Sequence, residues 1–193
     1  MKKLTVILII CFLAGNFCFI ASSQADEGKK SSLKGIEVLG GYAQGNVHEE
    51  KHYKLVPLFV DFDFDLKPLF AKNYPGMLQF VEEPFFAYAF SPHKNIEVGN
   101  NFLIKFGLVP ETWKLQPYLK AGVGIVYMTE HTRQQGTQFN FNEYIGFGIH
   151  YFIRNNFALT GEYRYRHLSN ADTASPNRGI ETWYGLVGIS YLF

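Results

Sequence analysis

From residue 34 onward the chain alternates apolar and polar positions with a period of two, interrupted at short intervals by turn residues. In one segment Val56, Leu58, Val60, Phe62, Phe64 and Leu66 share a face while Asp61, Asp63 and Asp65 share the other. In another, Ile96, Val98, Phe102, Ile104, Phe106 and Leu108 oppose Glu97 and Lys105. Leu119, Ala121, Val123, Ile125 and Tyr127 likewise oppose Lys120, Gly122 and Gly124. Phe157, Leu159, Tyr163, Tyr165 and His167 oppose Thr160, Glu162, Arg164 and Arg166. Because residues two apart on a strand face the same side, the rhythm predicts eight strands, over 34–46, 52–66, 77–91, 95–108, 116–130, 138–152, 155–167 and 180–193.

Alternation alone fits a soluble sandwich as well as a barrel in lipid. The N-terminus shifts the balance. Lys2 and Lys3 precede a largely apolar run from Leu4 to Ala21, and Ser23-Gln24-Ala25 supplies small residues for cleavage, the layout of a secretory signal over residues 1–25. Kept as an anchor, that run would be marginal for spanning, at about 18 residues. Cys11 and Cys18 both lie inside it, so residues 26–193 form one cysteine-free domain, an exported chain without disulfide staples. With 19 Phe and 12 Tyr the chain is rich in aromatics, yet beyond residue 25 no apolar run approaches the length of a spanning helix. An eight-stranded antiparallel transmembrane β-barrel of the bacterial outer membrane satisfies both facts. The last strand agrees: Trp183, Gly185, Val187, Ile189, Tyr191 and Phe193 alternate up to a terminal Phe, resembling the C-terminal recognition signal of such barrels.

An eight-stranded barrel is filled by side chains. Asp61, Asp63, Asp65, Glu97, Lys105, Lys120, Glu162, Arg164 and Arg166 therefore read as an internal ion-pair network, leaving no open pore. Of 18 basic side chains two lie in the signal, so the remainder balance the 17 acidic ones to within one charge. No basic block argues for nucleic acid. With both termini periplasmic, the outward loops fall near 47–51, 92–94, 131–137 and 168–179.

The last of these loops carries the candidate chemistry. His167 and Ser169 share a face two residues apart, roughly 6.5–7 Å along a strand. If Phe157 opposes Tyr191 and Tyr165 opposes Trp183, His167 opposes Glu181, at the 4.5–5.5 Å spacing of directly paired positions. The carboxylate would fix the imidazole tautomer, and the free nitrogen would take the Ser169 proton, because a serine hydroxyl is inert near neutral pH without an adjacent base. All three point to the apolar, outer face. Phe157 to Tyr165 covers about 20 Å of membrane normal at the usual tilt, so His167 falls near the rim of the roughly 25 Å apolar band, where lipopolysaccharide ester bonds lie.

His167-x-Ser169-Asn170-Ala171 followed by Asn177-x-Gly179-Ile180-Glu181 resembles the signature of the outer-membrane lipid A 3-O-deacylases. The resemblance implies a serine esterase that removes the 3-O-linked hydroxyacyl chain of lipid A, with lipopolysaccharide as substrate, outer-membrane lipids as surroundings, and no cofactor. It implies His167 as base, Ser169 as nucleophile, Glu181 as orienting acid and Asn170 as oxyanion-hole donor. The specific motif covers residues 163–181, whereas strand count, length and signal resemble the family over the whole exported chain. Acyl preference and oligomeric state, a homodimer included, stay open.

Other motifs carry less. Asp61-x-Asp63-x-Asp65 lacks a calcium loop's glycine, replaced by Leu66, and its bidentate Glu, replaced by Lys72. His48, His52, His93 and His131 lack ligand spacing. Gly122-x-Gly124 and Gly146-x-Gly148 precede no helix and read as glycines relieving crowding. Glu143 falls by parity among outward Phe139, Phe141, Ile145 and Phe147, a costly place for a charge; a bulge or a role beside the trio would account for it. Two rival readings remain: a non-enzymatic outer-membrane barrel with a structural or adhesive role, and a soluble periplasmic lipid-binding barrel with its apolar faces turned inward.

Overall fold

The computed structural model describes residues 33–47, 50–129 and 135–193. The signal segment, His48 and His131 lie outside them. Eight antiparallel strands follow in order: β1 (Leu33–Val47), β2 (Glu50–Asp65), β3 (Leu78–Ser91), β4 (Asn95–Gly107), β5 (Leu115–Met128), β6 (Phe139–Arg154), β7 (Phe157–Ser169) and β8 (Ile180–Leu192). Each pairs with its neighbours in sequence, and β1 pairs with β8 to close a barrel. Closure removes every sheet edge, the condition for strands to cross lipid with their backbone groups satisfied.

The eight expected strands are all present, with shifts at the ends. β6 continues to Arg154 and β7 starts at Phe157, because the chain reverses through Asn155-Asn156 after an irregularity between Phe152 and Arg154. β7 then runs two residues further than the alternation indicated, as far as Ser169, since β6 still offers Phe141 as its partner there. Between β2 and β3 lies a one-turn helix, α1 (Lys67–Phe70), that the strand rhythm does not reveal.

Parity sorts the wall into two chemistries. Outward positions present apolar side chains on every strand, among them Val38, Leu58, Phe86, Ile104, Leu119, Ile145, Leu159 and Val187, all exposed. This is the lipid-facing surface of a transmembrane barrel, and it excludes the inward-apolar, soluble reading. Inward positions hold buried charges. Lys105 pairs with Glu37 and with Asp63 at 2.9 Å; Lys120 pairs with Asp61 and with Glu83 at 3.1 Å. Arg164 joins Glu83 at 2.7 Å to Glu162, and Arg166 meets Glu97 at 2.6 Å. Glu37 and Glu83 join the expected network. Asp65 does not; it sits at the strand end and accepts the Lys67 N–H at 2.9 Å. Among these charges Phe59 packs against Phe85, Tyr144 and Tyr184, filling the interior with rings.

Lys105, Lys120 and Arg164 each neutralise two or more carboxylates, so removing one strands its partners in a dry interior. Replacing Arg164 by Met should cost about 3–5 kcal/mol, seen as a lower temperature for loss of the compact, fast-migrating form on gels; an unchanged transition would show that the network is not supporting the fold.

Candidate active site

β7 and β8 place the chemistry. Along β7 the odd residues Leu159, Tyr163, Tyr165, His167 and Ser169 face outward, while Thr160, Glu162, Arg164, Arg166 and Leu168 are buried. The β7–β8 register pairs Phe157 with Tyr191, Tyr165 with Trp183 and His167 with Glu181, as the sequence pattern anticipates. Across that last pair His167 Nδ1 lies 2.6 Å from Glu181 Oε1, with the two side chains 34% and 44% exposed. Ser169 ends the strand, half-buried on the same face and directly across from Phe141 of β6.

One leg of the trio is therefore closed and the other is not. Among the described residues neither the Ser169 hydroxyl nor His167 Nε2 takes part in a hydrogen bond. In ligand-free enzymes such contacts are often long and tighten only around substrate. Chemically, a carboxylate on Nδ1 leaves Nε2 as the free nitrogen, the arrangement a base needs.

Asn170, the expected oxyanion-hole donor, follows Ser169 at the start of the β7–β8 loop. It is fully buried, and its amide nitrogen donates to the carbonyls of Ala174 and Pro176 at 2.8 and 3.2 Å. Its backbone N–H donates to Asn177 Oδ1 at 2.9 Å, and its carbonyl accepts from Thr173. Both of its donors are committed to the β7–β8 loop, so Asn170 holds the loop closed against the strand end. Asn177 also donates to Asp172 at 2.9 Å and bridges to Gln135.

Gly179 is the residue whose role the spacing did not reveal. Its φ of +72° lies in the left-handed region, and a Cβ built there would stand 2.8 Å from His167 Cε1. The loop thus presses bare backbone against the imidazole edge, and an Asn-x-Gly ahead of a strand was the available signal for such a turn. Glu143 does obey strict parity. It is outward, exposed and directly opposite His167 on β6, the flank away from Glu181. Below the trio, Trp183 stacks on Tyr163 at 5.6 Å and meets Tyr165 at 4.7 Å, an aromatic belt of the kind found where barrel wall meets headgroups.

Of the histidines considered for metal, His52 is exposed on β2. One acidic trio among the described residues, Glu37, Asp61 and Glu162, comes within metal-binding reach. Lys105, Lys120 and Arg164 occupy those carboxylates, so they serve the lumen network.

The fold and this rim thus define an outer-membrane β-barrel with a base–carboxylate pair and a serine on its lipid face. The family model for lipid A 3-O-deacylase (PagL) matches residues 63–190, and the chain belongs to that family. Its activity is ester hydrolysis on lipid A, which sets aside the non-enzymatic barrel. No curated protein matches the chain. Among solved structures it resembles the outer membrane enzyme PagL, with a TM-score of 0.60 and 21% identity over 79% of this chain and 97% of that one. Neisserial surface protein A gives a TM-score of 0.65 at 11% identity, over 83% and 97%. The N-terminal barrel domain of Pseudomonas aeruginosa OprF gives 0.51 at 14%, over 84% and 98%. At these identities the three structures show the fold alone.

Gly179→Ala should preserve the barrel while costing roughly 1–3 kcal/mol of loop strain and displacing the imidazole. Deacylation should fall about tenfold, with the gel mobility of the folded form unchanged. Full activity in that variant would show that the loop does not seat His167.

Proposed function

We propose that the chain, exported behind a cleaved signal over residues 1–25, removes the 3-O-linked hydroxyacyl chain of lipid A through Ser169, His167 and Glu181. The carrying observation is the His167–Glu181 hydrogen bond on the lipid-facing wall, with a serine two residues along the same face. A substrate whose acyl chains lie in the membrane reaches that face by lateral diffusion, with no passage through the filled lumen. Both strands belong to one chain, so the proposal does not require a second copy.

In the first half-reaction Ser169 Oγ attacks the ester carbonyl carbon and its proton passes to His167 Nε2. Glu181 stabilises the imidazolium and holds the ring in the tautomer that leaves Nε2 free. As the tetrahedral intermediate collapses, the bond from carbonyl carbon to sugar oxygen breaks, and the imidazolium protonates the departing oxygen. Water, deprotonated by the same base, then attacks the acyl-serine, releasing the hydroxy acid and regenerating Ser169. The Tyr163, Tyr165 and Trp183 cluster lies on the membrane side of this chemistry, against the acyl portion of the substrate. Asn170 enters as the tie that fixes the loop, because its donors are already engaged.

Ser169→Ala should yield a folded, heat-modifiable barrel whose host retains the hydroxyacyl chain in lipid A mass spectra, a loss of at least about 10³-fold. Deacylation by that variant would refute the nucleophile. Glu181→Gln removes the charge but keeps the shape, and should lower turnover by about 10²- to 10⁴-fold; near-parental turnover would mean that the base works without its carboxylate.

A further inference from the structure

Among the described residues Glu143 is a titratable side chain beside the trio that the mechanism does not use. It stands on the lipid-facing wall of β6, paired with His167 on one flank and Val123 of β5 on the other. Its outward neighbours along the strand are Phe141 and Ile145, both exposed and apolar. Among the described residues its carboxylate has no hydrogen bond or ion pair. His167 cannot supply a partner through Nδ1, which Glu181 already holds at 2.6 Å. A carboxylate in apolar surroundings is unfavourable unless something donates to it, and among the described residues none does.

Its position says what could. Glu143 is level with His167 and two residues along the ladder from the Phe141–Ser169 pair, on the opposite side of β7 from Glu181. An ester seated on Ser169 has two halves. The acyl half runs down the apolar wall, and the sugar half stays at the height of the trio. Hydroxyl and amide N–H groups next to the scissile oxygen then lie about one strand spacing, roughly 4.7–4.9 Å, from the nucleophile. That is the reach of a Glu side chain on the neighbouring strand.

We propose that Glu143 is a substrate-positioning residue whose carboxylate accepts hydrogen bonds from the sugar beside the scissile ester, selecting a sugar ester over a simple fatty ester. The inference deepens the esterase reading and rests on it. A site that pairs a substrate donor discriminates against an analogue lacking it, because the acceptor on the lipid-facing wall is then left unmatched.

The test compares two substrates in detergent: lipid A, and the methyl ester of the same hydroxyacyl chain, which keeps the chain and its hydroxyl but lacks the sugar. In Glu143→Leu, an apolar replacement suited to the lipid face, the ratio of kcat/KM on lipid A to that on the methyl ester should fall at least fivefold, through a higher KM for lipid A. Glu143→Gln, which keeps the size and one acceptor oxygen, should lose less. A ratio that falls by less than fivefold in Glu143→Leu overturns the proposal, including the case in which both substrates lose equally because the residue is structural or reads the chain's hydroxyl. Turnover of both esters by Ser169→Ala would instead bring down the underlying site assignment, so the two failures are told apart.

Discussion

Everything in this molecule depends on the phase of a closed antiparallel sheet. In an open sheet a strand slipped by one residue exchanges its faces and leaves its neighbours untouched. In a closed barrel each register is bounded on both sides, so a slip must be absorbed around the whole ring. On β7 a one-residue slip would put Arg164 and Arg166 into lipid and Tyr163 and Tyr165 among the lumen carboxylates. Those arginines pair with Glu83, Glu162 and Glu97, and breaking such pairs costs several kcal/mol each. The lumen network therefore sets the phase of β7. That phase in turn puts His167 and Ser169 on the outside.

A serine hydrolase usually lines a cleft, whereas the proposed site lies on a convex wall. The difference follows from the substrate's own solvent. Lipid chains exclude water from the wall below the trio, and the headgroup layer supplies polarity above it, so the bilayer performs part of what a pocket does elsewhere. The protein adds a His–Glu hydrogen bond, a glycine turn against the imidazole and an aromatic belt beneath. Glu143 fits the same logic: at the boundary of lipid and headgroup a lone acceptor can meet a polar part of the substrate that an acyl chain cannot offer.

Much of this was legible in the chain because its information lies in period-two patterning, which is a local property. The apolar and charged faces of β2, β4, β5 and β7 followed from counting by twos. The His167–Glu181 pairing followed from setting Phe157 against Tyr191. Features fixed by long-range contact were not legible. Ser169 remains in β7 because Phe141 pairs with it from another strand. Glu37 and Glu83 enter the lumen network through cations 68 and 81 residues away in sequence. Asn170 carries a motif position but spends its donors on a loop whose closure no spacing rule foretells. The short α1 helix, with Pro68 in its first turn, interrupts no alternation and so leaves no periodic trace.

The central claim is that Ser169 is a base-activated nucleophile facing lipid, and covalent capture tests it most directly. The folded barrel would be incubated with a serine-reactive phosphonate bearing a long acyl tail, then digested and mapped by mass spectrometry. The account predicts one adduct, on Ser169, strongly reduced in His167→Ala. Labelling elsewhere, no labelling of a barrel that deacylates lipid A, or equal labelling without the imidazole would contradict it.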